Sequence, residues 1–277
     1  MPLISVVVAT YNCADLLPAC LDSILRQRYP HREVIVIDGG SRDGTVETIR
    51  SYAASIAHWE SAPDKGVYDA WNKALALVKG DWICFLGADD RFHDESVLEK
   101  AVPFLEQCYP RSRFAYGCLN IVDVRGCIRE VVKRPWPDIR DAFLAGTLMI
   151  PHTGSFHHRS LFQDYGTYDA AFRIAGDYDL LLRELRTADA TYIAELTVVD
   201  MGDAGMSSSP GNMVLGLREI ARARVKNGIT KFSPGLAQRR LLAMAGALIL
   251  RLFGRPAYNF FADTYRRLGR RQAKWSR

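Results

Sequence analysis

No G-x-G-x-x-G follows the first apolar run of this chain, and no G-x-x-x-x-G-K-[ST] occurs in it. Such loops let backbone N–H groups cradle phosphates, so the dinucleotide-binding Rossmann and P-loop readings lose ground. No C-x-x-C pairing joins the six cysteines (Cys13, Cys20, Cys84, Cys108, Cys118, Cys127). Cys20 and Cys84 fall inside apolar patterns, where a thiol packs as a small hydrophobe. That usage fits a reducing compartment. No basic segment followed by a long apolar stretch opens the chain, so no signal peptide is expected. The expected location is the cytoplasm, including the inner face of the cell membrane. There is no internal repeat and no low-complexity tract. The apolar run Leu241 to Leu250 has ten residues, half of the roughly 20 that cross a bilayer. The last scarcity is of acid. Residues 214–277 hold 15 Lys/Arg against 2 Asp/Glu, whereas the remaining 213 residues hold 21 basic and 29 acidic side chains. An acidic body with a basic tail suggests that the tail meets something anionic.

What is present is enough for a core. Hydrophobic residues make up 48% of 277, which excludes a disordered chain and allows one large domain or a domain plus an extension. The pattern predicts an α/β domain over residues 1–213 and a basic helical extension over 214–277. Leu3 to Ala9 is a β-rich apolar run, ended by Thr10-Tyr11-Asn12. Asn12 is placed to cap the helix whose apolar face is Leu16, Leu17, Cys20, Leu21, Ile24 and Leu25. The N–H groups at that helix start point where a phosphate or ribose could bind. Glu33 to Ile37 is a second strand, running into Asp38-Gly39-Gly40-Ser41-Arg42-Asp43-Gly44-Thr45. Asp38 reads two ways, as a turn residue or as a strand-terminal carboxylate facing a ligand. A short strand, His58 to Ser61, precedes Asp64-Lys65-Gly66 and a helix from about Val67 to Lys79. Trp82 to Leu86 is a further buried strand, and it ends in Gly87-Ala88-Asp89-Asp90. Two adjacent carboxylates repel. Either a divalent cation compensates them, or they form a solvated turn that opens the next helix. Thr10, Asp38, Asp64 and Asp89 thus each follow a strand-like run, and in an open parallel sheet ligands bind outside the strands' carboxyl ends. Four converging polar termini predict a nucleotide pocket.

In order, Ser5 to Asn12, Val36 to Thr45, Asp64-Lys65-Gly66 with Ala70 and Asn72, and Phe85 to Asp90 resemble the successive motifs of family 2 glycosyltransferases. The similarity covers roughly residues 1–210. It implies the inverting GT-A fold, a single open, mostly parallel sheet with helices on both faces, here followed by the C-terminal helical extension. It implies a nucleotide-sugar donor and a divalent metal, Mn or Mg. Thr10, Asn12, Asp38, Asp64, Lys65 and Asp89 are then the expected donor contacts, with Asp90 and Asp89 at the metal. Two positions depart from the family pattern. Gly39 stands where many members have the second Asp of Asp-Asp-Gly-Ser, and Gly87 stands where many have the first acid of Asp-x-Asp.

From Asp94, the expected cap, a helix runs toward Cys108, with Pro103 marking a kink or break. Residues 114–122 and 127–132 flank a turn at Gly126, a hairpin signal. Pro135-Trp136-Pro137 breaks the chain, and a short helix resumes from Ile139 to Gly146. Three of the six histidines lie in Pro151 to Arg159. His157 and His158 are adjacent and point apart on a strand, a poor ligand pair. His152 is the one placed near substrate, the plain alternative being a hydrogen-bonded structural histidine. In Gly176-Asp177-Tyr178-Asp179, Asp177 reads plainly as a helix cap. The segment also resembles the family's Glu-Asp or Gly-Asp motif, which implies Asp177 as catalytic base and Asp179 as a support or acceptor-side residue. A strand over Tyr192 to Val199 leads into Gly202 to Gly211, which resembles a donor-covering Gly-x-Ser segment and reads equally as a linker.

The implied chemistry is a single displacement. An acceptor hydroxyl on a glycan or lipid-linked molecule attacks the anomeric carbon, a carboxylate takes its proton, and a metal stabilises the leaving diphosphate. No cysteine or serine nucleophile is evident. Two alternatives stay open, a nucleotidyltransferase-like enzyme releasing pyrophosphate and a non-catalytic nucleotide-sugar-binding module. For the tail, an anionic membrane surface stands against a helix packed on the catalytic domain. Nucleic acid comes last, with no recognised motif.

Overall fold

A computed structural model of the chain describes residues 1–123, 125–202 and 210–268. Among them nine strands form one sheet: β1 (Ile4–Thr10), β2 (Arg32–Asp38), β3 (His58–Ser61), β4 (Trp82–Gly87), β5 (Arg91–Phe92), β6 (Phe114–Val122), β7 (Ile128–Val132), β8 (Phe156–His158) and β9 (Thr191–Gly202). The order across the sheet is β3-β2-β1-β4-β8-β6-β9-β5, with β7 also on β6. The first four strands are parallel, as the motif order predicts. The other half is mixed. β8 runs antiparallel between β4 and β6, and β9 returns parallel to β6.

Strand alternation feeds two cores, one on each face. Ile4, Val6, Val8, Val34, Val36, Cys84 and Leu86 point to one side, and Val7, Ile35, Ile37, Ile83 and Phe85 to the other. This two-sided burial is why these strands read as continuous apolar runs. Helices α1 (Leu17–Leu25), α2 (Thr45–Ser51) and α4 (Val97–Cys108) cover the first face. Helices α3 (Val67–Leu75), α5 (Trp136–Leu144), α6 (Arg159–Tyr165), α7 (Gly176–Leu185) and α8 (Pro210–Lys226) cover the second. The hairpin β6–β7 forms where expected.

Several local expectations shift. Helix α1 begins only at Leu17, and Asn12 is not its cap; instead Asn12 sits at φ 50° in the loop before it. Helix α4 starts after Ser96, whose N–H and hydroxyl both bind the Asp94 carboxylate, and it continues through Pro103. Helix α3 ends at Leu75, short of Lys79.

The basic extension is not a separate appendage at its start. Leu217, Ile220 and Ala223 of α8 are buried in the second core. Helix α9 (Pro234–Leu268) follows, broken at Gly254, where φ 76° and ψ −178° leave the helical region. The stretch Pro234–Thr264 is long and apolar enough to cross a membrane by length and composition alone. The break instead folds it into two arms, with Gly246 of the first against Tyr258 and Phe261 of the second. The Gly-x-Ser resemblance around residues 203–209, and Arg270, Arg271 and Lys274, lie outside the described residues.

Candidate active site

Register places the polar strand ends in one row. Thr10 pairs with Asp38, Asp38 with Ser61, and Ala9 with Gly87. The row sits at the carboxyl edge of the parallel half-sheet, where an α/β sheet binds ligands. The roles within it differ from those the motifs implied.

Asp38 is fully buried and has no capacity left for a ligand. Its Oδ2 accepts from Gly40 N–H (3.0 Å), Ser41 N–H (2.9 Å) and Ser61 Oγ (2.6 Å), and its Oδ1 accepts from Ser41 Oγ. Four donors satisfy a carboxylate's lone pairs, so in this arrangement Asp38 ties the turn together. Asn12 is likewise engaged. Its N–H donates to Ser41 Oγ (2.7 Å) and its side-chain carbonyl accepts from Arg42 N–H (3.0 Å), joining the two rim loops. Thr10 is 5% exposed, and its hydroxyl finds no partner among the described residues. A buried, unsatisfied hydroxyl at a strand end is a ready donor contact.

Gly39 explains one departure from the family pattern. A Cβ there would lie 2.8 Å from Asp64 Oδ2 and 3.3 Å from the Tyr11 ring. The half-buried Asp64 carboxylate occupies the space of the missing acid, held through Oδ1 by Gly66 N–H at 2.9 Å. Lys65 beside it is exposed, and Tyr11, 63% exposed, stands over the same spot. Sequence reasoning missed Tyr11; the signal was an aromatic at the end of a buried strand.

Gly87 explains the other departure. A Cβ there would meet Asp90 Oδ2 at 2.8 Å and Asp89 Oδ1 at 2.9 Å. The two acids thus fill the space of the absent one and part in opposite senses. Asp89 is exposed. Asp90 is 5% exposed, and its carboxylate accepts from Thr153 Oγ1 (2.6 Å), Gly87 N–H (3.2 Å) and Gly202 N–H (3.3 Å). Burial, then the charge of Asp89, pushes its carboxyl up to about 7. Both Asp90 oxygens are held by the frame, with three donors for a carboxylate's four lone pairs, Oδ1 accepting from Gly202 alone. Gly202 also lies against Asp89, with a Cβ there only 3.2 Å from Asp89 Oδ2.

The second acidic pair lies in the first turn of α7. Asp177 is half-buried and accepts from Tyr178 N–H (2.8 Å) and the Tyr68 hydroxyl (3.2 Å). Burial pushes its carboxyl up to about 6, against the lowering effect of those hydrogen bonds. Gly176 permits this contact, since a Cβ there would lie 2.8 Å from the Tyr68 ring. Asp177 does not cap α7; Ala175 holds the cap position. The preceding loop is instead fixed by Glu219 of α8, whose carboxylate accepts from the N–H groups of Arg173 (2.9 Å), Ile174 (2.8 Å) and Ala175 (2.9 Å). Its signal was being one of two acids in a basic stretch. Asp179 turns away from this site. It is fully buried, paired with Arg183 (2.8 Å) and Lys226 (2.9 Å), and accepts from Asn227 Nδ2 (3.0 Å). Its partners make it an anchor between α7 and α8.

His152 connects the two acid pairs. It is 8% exposed, stacked on Trp71 at 4.4 Å, and its Nε2 meets the Tyr168 hydroxyl at 2.8 Å. Burial pushes its pKa well down, so the ring stays neutral. Tyr168 stacks on Tyr68, and Asn72 clamps Tyr168 by two backbone hydrogen bonds. Asp90 accepts from Thr153, whose chain neighbour His152 leads through Tyr168 and Tyr68 to Asp177, so backbone and side chains together link the two acid pairs. His152 is thus a buried part of that link, the plainer of its two expected roles.

No cluster of three His, Cys, Asp or Glu side chains suited to a metal ion occurs among the described residues. The exposed Asp89 carboxylate nevertheless suits the ion the fold family implies. Mg²⁺-type sites at nucleotides use one or two carboxylates, with phosphate oxygens and water completing the shell.

The sequence profile described as Glycosyl transferase family 2 matches residues 5–164. An uncharacterised glycosyltransferase of Mycobacterium tuberculosis is 38% identical over 184 residues, 66% of this chain and 68% of that protein. A PGL/p-HBAD biosynthesis glycosyltransferase of Mycobacterium bovis is 35% identical over 188 residues, 66% of this chain and 69% of that one. Among solved structures, S. aureus TarS 1–349 in complex with UDP-GlcNAc superposes over 95% of this chain and 80% of that one, with TM-score 0.66 and 18% identity. The chain spans about half the length of a longer TarS structure. The mannosyltransferase PcManGT from Pyrobaculum calidifontis, in complex with GDP-Man and Mn²⁺, superposes over 97% of this chain and 75% of that one, with TM-score 0.63 and 21% identity. With its motifs, its sheet and these likenesses in agreement, the chain belongs to glycosyl transferase family 2 and is a glycosyltransferase of the GT-A fold.

Proposed function

We propose that this enzyme moves a sugar, with inversion, from a nucleoside-diphosphate sugar to a hydroxyl of a glycan or lipid-linked acceptor, with Asp177 as general base. The observation that carries this is the state of Asp177. It is a half-buried carboxylate with no ion pair among the described residues, held by two donors and pushed up to about 6, so it is ionised at neutral pH yet basic enough to take a proton.

Tyr11 offers its ring face to the donor's base, and Asp64 a carboxylate to its N–H or hydroxyl groups. Thr10 adds its unsatisfied hydroxyl and Lys65 a positive charge toward the diphosphate. Asp89 would hold the divalent ion, Mn²⁺ or Mg²⁺, which when bound supplies positive charge to the departing diphosphate. Asp90 keeps the Asp89 turn in place from behind. On the acceptor side Asp177 takes the hydroxyl proton as the oxygen bonds to the anomeric carbon and the bond to the diphosphate oxygen breaks. One displacement inverts the configuration, and no covalent sugar–enzyme bond is needed. Neighbours captured with UDP-GlcNAc and GDP-Man support a nucleotide-sugar donor. A relative named for PGL/p-HBAD biosynthesis supports a biosynthetic role, which we place in surface-polysaccharide assembly on the cytoplasmic side.

The test is a panel of UDP-, GDP- and dTDP-sugars with Mn²⁺ or Mg²⁺, on wild type and Asp177→Asn. One donor is expected to release nucleoside diphosphate with wild type, whereas the variant binds it without release. Pyrophosphate as product would instead establish the nucleotidyltransferase reading, and binding with no turnover by wild type the non-catalytic one.

A further inference from the structure

The first arm of α9 carries a row of large apolar side chains that the protein leaves uncovered. Leu241, Met244, Leu248 and Leu252 are 67%, 48%, 56% and 62% exposed. At 100° per residue they share an arc of about 80° on one side of the helix. The opposite side is the packed one. Leu236 and Ala243 join the second core, and Gly246 receives Tyr258 and Phe261. At the Gly254 break, Phe253 is 69% exposed, between the exposed Arg251 and Arg255. Arg240 and Arg251 flank the apolar row along one edge. The only acid of residues 230–264 is Asp263, and it is buried.

We infer that this face is a docking surface for an anionic lipid bilayer, with the leucine row and Phe253 entering the headgroup boundary and the arginines at phosphate level. Charge selects this occupant. Arginine beside apolar side chains, with no exposed acid, complements a surface of anionic headgroups. A second copy packed by two-fold symmetry would set the same basic edge against itself, because such an interface uses one patch twice. Length selects the orientation. Leu241 to Leu252 spans about 17 Å of helix, well short of the roughly 30 Å hydrocarbon core, so the arm lies in the plane of the surface. Leu236, buried in the second core, and Arg239, which donates to the Thr147 carbonyl, hold the start of the arm to the body, and Arg224 ties the loop before it, donating to the carbonyls of Leu144 (3.0 Å) and Lys231 (2.8 Å). Docking would therefore fix the whole enzyme against the bilayer.

The test is flotation of the full chain on phosphatidylcholine vesicles with and without about one third phosphatidylglycerol. Wild type floats with the anionic vesicles. Leu248→Glu/Leu252→Glu floats at least about tenfold less, and Arg251→Ser/Arg255→Ser loses the preference for anionic lipid. Leu248→Ser/Leu252→Ser reads the same way if the glutamates lower Tm. The inference is overturned if wild type stays in solution with anionic vesicles, or if the leucine variants float like wild type. It is overturned equally if size exclusion shows a dimer that Leu248→Glu/Leu252→Glu turns into monomer. An unchanged anionic preference in the arginine variant would overturn the headgroup assignment. Turnover of a soluble donor is read separately, so failure here leaves the transfer chemistry standing.

Discussion

Asp89–Asp90 at the end of β4 and Asp177–Asp179 at the start of α7 belong to different halves of the chain, and each pair divides its labour. In both, one acid is presented and the other is built into the frame. The means differ. Asp90 is buried against three hydrogen-bond donors, with no ion pair to a cation among the described residues. Asp179 is buried against Arg183 and Lys226. Among the described residues the β4 turn therefore pairs its negative charge with no cation, which is consistent with the divalent ion proposed at Asp89. The α7 pair has its structural charge neutralised within the protein, which leaves Asp177 to be tuned by burial and by Tyr68. Adjacent acids look alike in a sequence; what surrounds each one decides its task.

The comparison can be broken first at Asp177. Asp177→Asn should cut turnover by about 10³-fold while leaving nucleotide affinity near wild type, because it removes only the proton acceptor. Equal losses in binding would make Asp177 a donor contact. Next, Asp179→Ala should lower stability by about 3 kcal/mol, since Arg183 and Lys226 lose a buried partner but keep some access to water. Chemical denaturation checks this, and turnover per folded molecule should change far less than in Asp177→Asn. A finer prediction concerns pH. The base works ionised, so activity should fall as pH drops through about 6, not through the usual carboxylate range. Tyr68→Phe removes a hydrogen bond that favours the ionised form. The acid limb should therefore move up by about one pH unit; a downward move would contradict the arrangement. Smallest is Thr153→Val, which strips Asp90 of one donor and should cost about 1 kcal/mol with donor affinity little changed.

Much of the first half was legible in the sequence. The runs at Ile4–Thr10, Arg32–Asp38 and Trp82–Gly87 announce buried parallel strands because both faces are covered, and each ends in a polar turn at one edge. Their motifs gave the family. What the sequence could not rank was the acids. Asp38 looks like a ligand until its four donors are counted, and they come from Gly40, Ser41 and a serine 23 residues on. The two glycines at 39 and 87 look like losses, yet neighbouring carboxylates occupy both spaces. In the second half the decisive partners are remote. Tyr68 reaches Asp177 across 109 positions, and Glu219 supports the α7 start from a stretch that reads as a basic tail. Periodicity carries no information about such contacts. The ten-residue apolar run from Leu241 to Leu250 is too short in the sequence to announce a span, and only the structure shows that Leu241 and Leu248 are exposed.

The measurement that tests the division of labour most directly is Mn²⁺-dependent binding of the nucleoside diphosphate by Asp89→Asn and Asp90→Asn, set beside their melting temperatures. Asp89→Asn is expected to melt like wild type and lose the enhancement by Mn²⁺, whereas Asp90→Asn, which removes a buried charge and alters three hydrogen bonds, shifts in melting temperature and, once folded, keeps the enhancement. An Asp90→Asn protein of wild-type stability without the Mn²⁺ effect, beside an Asp89→Asn protein that retains it, would reverse the two roles and contradict the account.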